Sequence, residues 1–297
     1  MNFISIKFRH FKLLFETLFR LGLYNVLRVF WYKFRIKCGF HPVQLEIKSV
    51  ELCSFFQDHR AGEQDKISSV ASSWDKNITY FGWFSKKIAS TPDWFLNPFD
   101  GRRFEATHVP WWKIGDFSSG VGDIKTVWEL SRFDWVINFA QHAIEGDSEA
   151  TGRINSWLKD WNDCNPPYFG PNWKCGQEAS FRVIHLAVAA HMLDQINTPT
   201  KDLRIFLEIH LRRISPTISY AIAQKNNHGT SEAAALFIGG SWLLQAGVSE
   251  GDVWSRVGRN LIEKLSLGLI DESGSFSQHS INYHRLALDT LTIVELG

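Results

Sequence analysis

Apolar residues recur at helical spacing throughout the second half of the chain. From Lys125 onward, apolar faces of helical length alternate with short polar turns. The spacing predicts helices over about 125–145, 148–163, 177–194, 200–224, 230–246 and 250–270, and a last one from about 283. No convincing strand alternation follows residue 125, so the predicted fold class is all-α. Helices joined by short turns pack as antiparallel neighbours, which predicts an α-hairpin array or toroid rather than a four-helix bundle.

The first part of the chain has a different pattern. It consists of two segments, so the sequence as a whole divides into three. Residues 1–40 are basic and amphipathic, and 3–36 within them predict a helix. Its apolar positions near helical spacing are Phe8, Phe11, Phe15, Phe19, Leu23 and Phe30. Residues 41–124 are rich in aromatic residues, Gly and Pro, which predicts an irregular connector with short strands. Residues 125–297 form the helical domain.

Composition and charge narrow the class of protein. With 44% apolar and 21% charged residues among 297, the chain has a globular composition, neither disordered nor fibrous. The net charge of +1 conceals an asymmetry, because residues 1–37 carry +7 and the remainder about −6. The main body is therefore not a general nucleic-acid binder. The basic segment 3–36 either packs on the body or contacts an anionic membrane surface.

Cysteine usage and the N-terminus bear on the compartment. None of the four cysteines forms a CxxC pair, so there is no zinc signature. Free thiols are favoured over a disulfide between Cys164 and Cys175, which favours a reducing compartment. The N-terminus lacks a clean signal peptide, and no stretch has the length and apolarity to span a bilayer. We expect a cytoplasmic or membrane-associated protein, with the periplasm as the alternative.

Candidate chemistry lies at three junctions between predicted helices. The first spans 165–182 and places Gln177, Glu178 and Arg182 at the start of a helix. Glu178 and Arg182 are four residues apart and share a helix face, which fits either an exposed ion pair or one edge of a polar pocket. Asn172 and Trp173, beside a turn rich in Gly and Pro, favour the pocket.

The second junction places Asn227 and His228 just before a helix whose N-cap is predicted at Thr230 or Ser231. There the positive end of the helix dipole would act on them. A surface turn is the alternative interpretation.

The third junction spans 274–285 and collects four polar residues at the entry to the last helix: His279, Tyr283, His284 and Arg285. A tyrosine near histidines and an arginine can serve as an acid or base. A buried structural tyrosine is the alternative.

Together these junctions resemble the N-terminal helical domain of the heparinase II/III-like polysaccharide lyases, a family that includes alginate and oligoalginate lyases. The resemblance covers about 125–296 and rests on order and spacing. The matching residues are Lys125, Trp128, Glu129 and Arg132, then Asn172, Trp173, Gln177, Glu178 and Arg182, then Asn227 and His228, then Gln278, Tyr283, His284 and Arg285. Residues 1–60 also resemble the basic lead-in of members associated with surface-polysaccharide assembly.

The resemblance implies an incomplete (α/α) toroid that cleaves a uronic-acid-containing glycan by β-elimination. Asn227 matches the asparagine that binds the uronate carboxylate, with His228 as its partner or as a base. Tyr283 matches the catalytic tyrosine, the general acid for the leaving oxygen and, for some stereochemistries, also the base. The implied cleft residues are Asn172, Gln177, Glu178, Arg182, His284 and Arg285, with Trp128 and Trp173 for sugar stacking or for support.

One departure from the family concerns the end of the chain. Family members continue into a C-terminal β-sandwich that supplies another catalytic histidine and often a metal site. We therefore expect a chain that is truncated or completed by another chain. It would have no cofactor of its own, an acidic polysaccharide as partner, and doubtful activity in isolation. The alternatives are a non-catalytic glycan-binding toroid and a helical scaffold docked on a membrane through 3–36.

Overall fold

Helices dominate the computed structural model, which describes residues 22–44, 50–58, 77–87, 91–115, 117–118 and 120–296. The predicted all-α class is confirmed, since the strands within these ranges are few and short. None of the helices in these ranges combines the length and the apolar character needed to cross a membrane.

The first helix of the described residues overlaps the helix predicted over 3–36. Helix α1 spans Leu23–Cys38 and ends where Gly39 takes a left-handed φ of 78°. The part of the predicted helix over 3–21 lies outside the described residues. A short 3-10 turn at Pro42–Gln44 follows α1.

Two small antiparallel hairpins occupy the predicted connector. Strand β1 (Asn77–Tyr80) pairs with β2 (Phe84–Lys87), and β3 (Phe117–Ser118) pairs with β4 (Gly122–Asp123). At the tip of the first hairpin Phe81 has a left-handed φ of 54°.

The helix predicted over 125–145 is divided into two. Helix α2 spans Lys125–Trp128, a 3-10 turn spans Glu129–Arg132, and α3 spans Asp134–Ile144. Between the turn and α3, Phe133 adopts a left-handed φ of 69° while its ring is completely buried. This corrects the prediction, because a residue outside the right-handed region interrupts the helical hydrogen bonds.

The next three helices follow the predicted order. They are α4 (Ala150–Cys164), α5 (Gly176–Met192) and α6 (Lys201–Ile214). The helix predicted over 200–224 ends early, because Ser215–Thr217 forms a 3-10 turn around Pro216 before the short helix α7 (Ile218–Ala223). Pro216 has no backbone N–H to continue the α-helical pattern.

The last three helices include one that packs against several others. They are α8 (Asn227–Gln245), α9 (Glu250–Leu269) and α10 (Ile281–Leu296). Helix α8 contacts α5, α6, α7, α9 and α10. Its approach to α9 is close enough that a Cβ on Gly240 would lie 2.5 Å from the backbone nitrogen of Ser255.

The core runs through the connector as well as the helices. Trp94, from the connector, lies 5.9 Å from Trp135 of α3 and 6.2 Å from Trp157 of α4, measured between ring centroids. Its indole N–H donates to Asp160 Oδ2 at 2.7 Å. Buried aromatic residues of the connector thus pack as part of the helical core, among them Trp94, Phe95, Phe104 and Trp111.

Candidate active site

The first turn of α8 is the centre of the candidate site. The helix begins at Asn227, and its N-cap is Asn226, whose side chain accepts a hydrogen bond from His228 N at 3.0 Å. The predicted caps, Thr230 and Ser231, lie inside the helix, so that prediction was wrong. Asn227 and His228 therefore stand in the first turn, where unpaired backbone N–H groups create positive potential.

All three junctions meet at this turn. From the first, Gln177 Nε2 donates to Ser231 Oγ at 3.1 Å and to Asn227 O at 3.4 Å. From the third, Gln278 Oε1 accepts from Asn227 N at 2.9 Å. Segments some 50 residues apart in sequence are thus joined at Asn227 by hydrogen bonds of their glutamine side chains.

A thiol, an imidazole and a carboxyl group cluster beside this turn. Cys175 Sγ lies 3.8 Å from His228 Nδ1. Glu232 is four residues after His228 and therefore on the same helix face. Its carboxyl group lies so close to Gly176 that a Cβ there would be 2.5 Å from Glu232 Oε1. Glu232 Oε2 is buried, and no hydrogen-bond partner for it lies among the described residues.

Burial sets the charge state of this cluster. It raises the pKa of the Glu232 carboxyl to about 8. It also raises the pKa of the Cys175 thiol, and it lowers the pKa of His228 against the opposing effect of Glu232 and Glu178. At neutral pH the three groups are therefore predominantly uncharged, and the imidazole keeps a lone pair that can accept a proton.

Arg132 connects the site to the first hairpin. Its guanidinium donates to both oxygens of Glu178, at 2.7 and 3.0 Å, and to Glu129 Oε2 at 2.7 Å. Glu129 Oε1 in turn accepts from the backbone nitrogen of Phe81 at the hairpin tip, at 2.8 Å. The ion pair of Glu178 is thus with Arg132, and the alternative of an exposed pair with Arg182 does not apply.

Arg182 lies inside the protein with none of its surface exposed. It donates to His210 Nε2 at 2.8 Å, to Ser131 O at 3.2 Å and to Asn172 O at 3.0 Å. Its guanidinium carbon is 4.9 Å from the Trp161 ring centroid. This contradicts a place for Arg182 at the surface of a cleft, because its side chain has no exposed surface.

Three more of the predicted substrate residues support the fold. Asn172 Nδ2 donates to Trp94 O at 3.2 Å and to Asn165 Oδ1 at 2.9 Å. Trp173 Nε1 donates to Asn165 O at 3.0 Å, and Trp128 Nε1 to Pro171 O at 2.9 Å. All three side chains are buried. Trp128 and Trp173 were predicted to stack on a sugar or to support the fold, and their burial fits support. Asn172 has no exposed surface that could contact a sugar.

The remaining predicted residues differ in accessibility. Asn227 is buried, and His228 is half-buried. Tyr283, in the first turn of α10, is 43% exposed. Beside it His284 is half-buried and Arg285 is exposed. The accessible members of the predicted catalytic set are therefore His228 and Tyr283.

The structure adds residues that the sequence interpretation missed. Cys175 and Glu232 join His228, and Arg213 lies buried nearby, donating to Trp173 O at 2.8 Å and Lys174 O at 2.7 Å. The spacing of four between His228 and Glu232 was a readable signal. Nothing local in the sequence marks Cys175 or Arg213, since their neighbours come from other helices.

Within the described ranges, no group of three or more His, Cys, Asp or Glu side chains is arranged to hold a metal ion. Comparison of the chain with family models, with curated proteins and with solved structures finds no match.

Proposed function

We propose that this protein is a polysaccharide lyase that cleaves a uronic-acid-containing glycan by β-elimination, in the setting of a bacterial surface polysaccharide. The observation that carries the proposal is the meeting of the three junctions at the first turn of α8, through Gln177, Asn227 and Gln278. The finer fold proposed with it is an incomplete (α/α) toroid, supported by the contacts of α8 with helices on either side of it along the chain.

The reaction makes three demands on the site. The C5–H bond of the uronate breaks and its proton goes to a base, the C4–O bond breaks, and a double bond forms between C4 and C5. The leaving oxygen takes a proton from an acid. The negative charge that develops beside the carboxylate needs donors already in place.

The proposed roles follow from charge and position. Asn227, at the positive end of α8, would bind the uronate carboxylate. His228 is the proposed base, and Nε2 would take the proton in the tautomer whose Nδ1–H donates to Cys175 Sγ. Tyr283 would protonate the leaving oxygen. His284 and Arg285 beside it, with the Glu178–Arg132 pair, are proposed to orient the glycan and these groups.

The test is incubation of the full chain with acidic polysaccharides while following the ultraviolet absorbance of the unsaturated uronate product. We expect Tyr283→Phe to lower kcat by about 10²–10⁴-fold, the range for loss of a general acid or base. Tyr24→Phe is the matched control, because Tyr24 is an exposed tyrosine on a different helix. Equal turnover by both variants would remove Tyr283 from the mechanism.

A second candidate function is non-catalytic glycan binding. An exposed aromatic cluster at the first hairpin favours it, since Trp83 is 71% exposed and Phe99 stacks on Phe81 at 5.4 Å between centroids. Such rings can stack on sugars. Glycan binding that is lost in Trp83→Ala, with no unsaturated product from any acidic polysaccharide, would favour this alternative over the lyase.

A further inference from the structure

Helix α1 presents a row of large apolar side chains to solvent. Phe30 is 66% exposed and Trp31 is 59% exposed, far more than is usual for rings of this size in a folded protein. The other exposed apolar residues of the helix are Leu23, Tyr24, Leu27 and Phe34. A contiguous apolar surface of this kind marks an interaction site.

The apolar row and the basic residues are ordered around the helix. At 100° per residue, the six apolar side chains fall within an arc of about 120°. Arg28 and Arg35 border one edge of this arc, and Lys33 and Lys37 border the other. The helix contains no Asp or Glu.

The opposite side of α1 holds it on the body of the protein. Tyr32 stacks on Tyr220 of α7 with 4.3 Å between ring centroids. Gln44 Nε2 donates to Ile36 O at 2.9 Å. These contacts orient the helix, so its apolar row faces away from the core.

We propose that α1 is an interfacial helix that docks the protein on an anionic lipid surface. Apolar rings flanked by cations suit the boundary between acyl chains and headgroups, where the rings enter the apolar layer and the cations contact phosphates. The four cations give the charge complementarity that favours an anionic membrane over a purely apolar protein partner. This inference is independent of the proposed lyase function.

The experiment is cosedimentation of the full chain with vesicles of phosphatidylcholine alone and of phosphatidylcholine with phosphatidylglycerol. We expect binding to the anionic vesicles, and a loss of at least about tenfold in Phe30→Ser/Trp31→Ser, because two large apolar contacts disappear. Trp83→Ser is the matched control, since it removes an equally exposed tryptophan from another surface. Circular dichroism checks that each variant is folded.

A second variant tests the cations separately. Lys33→Gln/Lys37→Gln should weaken binding to anionic vesicles by about 20–30-fold, at about fivefold for each lysine, and leave binding to neutral vesicles unchanged. Absence of binding to anionic vesicles would overturn the proposal, as would an equal loss in Trp83→Ser. So would a concentration-dependent dimer in light scattering that Phe30→Ser/Trp31→Ser abolishes, which would assign the face to a second copy.

Discussion

At the scale of single residues, the site depends on charged and polar groups held away from water. Arg182 keeps its charge in the core because three hydrogen-bond acceptors and the Trp161 ring replace its hydration. Its bond to His210 Nε2 requires a lone pair there, so the His210 proton lies on Nδ1, which donates to Phe206 O at 2.8 Å. Burial and then the Arg182 charge lower the pKa of His210, which keeps this tautomer neutral.

Glu232 gives a prediction about pH. Its pKa of about 8 lies above the ordinary glutamate value of 4.5, so between these pH values the folded state holds a proton that the unfolded state has lost. The free energy of unfolding therefore falls as pH rises through this window, with a slope of up to about 1.4 kcal/mol per pH unit. Glu232→Gln removes this titration. We therefore expect the free energy of unfolding of the variant, minus that of wild type, to increase from pH 5 to pH 8 by at most about 1.4 kcal/mol per pH unit.

Urea unfolding at several pH values measures this difference. Glu272→Gln, at an exposed position, is the control and should change the free energy of unfolding by less than about 0.5 kcal/mol. A Glu232→Gln difference that stays constant across the window would mean that the carboxyl is ionised in the folded protein, and the uncharged state assigned to the cluster would then be wrong.

The residues of the site were predictable to different degrees. Asn227, His228 and Gln278 stand at junctions whose polarity is visible in the sequence, and the structure joins those junctions. The burial of Arg182 was not predictable, because its partners come from separate segments at Ser131, Asn172 and His210. A spacing of four places two side chains on one helix face, but tertiary contacts decide whether they pair with each other.

At the scale of elements, the packing of α8 on α9 depends on glycine. A Cβ on Gly258 would collide with the backbone at Phe237 N and approach Ala233 O to 2.7 Å. We expect Gly258→Ala to destabilise the protein by about 1–3 kcal/mol or more, as overpacking against rigid backbone does. Thermal or urea unfolding gives the measurement.

The same helix provides the control for this prediction. A Cβ on Gly268 would meet nothing within 4 Å. Gly268→Ala should therefore leave stability unchanged or raise it by up to about 1 kcal/mol through helix propensity. Equal effects of the two substitutions would mean that the close helix contact does not govern stability here.

Helix positions were predicted better than helix interruptions. The helix predicted over about 148–163 is found as Ala150–Cys164, because its apolar spacing and the following prolines mark both ends. The break at Phe133 was missed, since a left-handed phenylalanine has no local signature of the kind that glycine provides. Pro216 was a visible signal for the break after α6, and its effect on the hydrogen-bond pattern explains the short α7.

At the scale of the whole molecule, the connector and the helices share one core. The sequence identified the connector as rich in aromatic residues, but it could not place them, because irregular segments have no periodicity from which to read a buried face. In the structure Trp94 is buried against α3 and α4, and its carbonyl accepts from Asn172. The segment that leads into the first junction is thereby fixed to the connector.

This shared core predicts that the connector and the helices unfold together. Trp94→Ala should lower the free energy of unfolding by about 3–5 kcal/mol, because it leaves a cavity between Trp135 and Trp157 and removes the partner of Asp160. We expect helix loss, followed by far-ultraviolet circular dichroism, and loss of tertiary packing, followed by the near-ultraviolet signal, to shift to lower temperature by the same amount. Trp83→Ala, on the exposed side of the connector, should shift neither by a comparable amount. A helical transition that stays at the wild-type temperature in Trp94→Ala would mean that the helices fold without the connector.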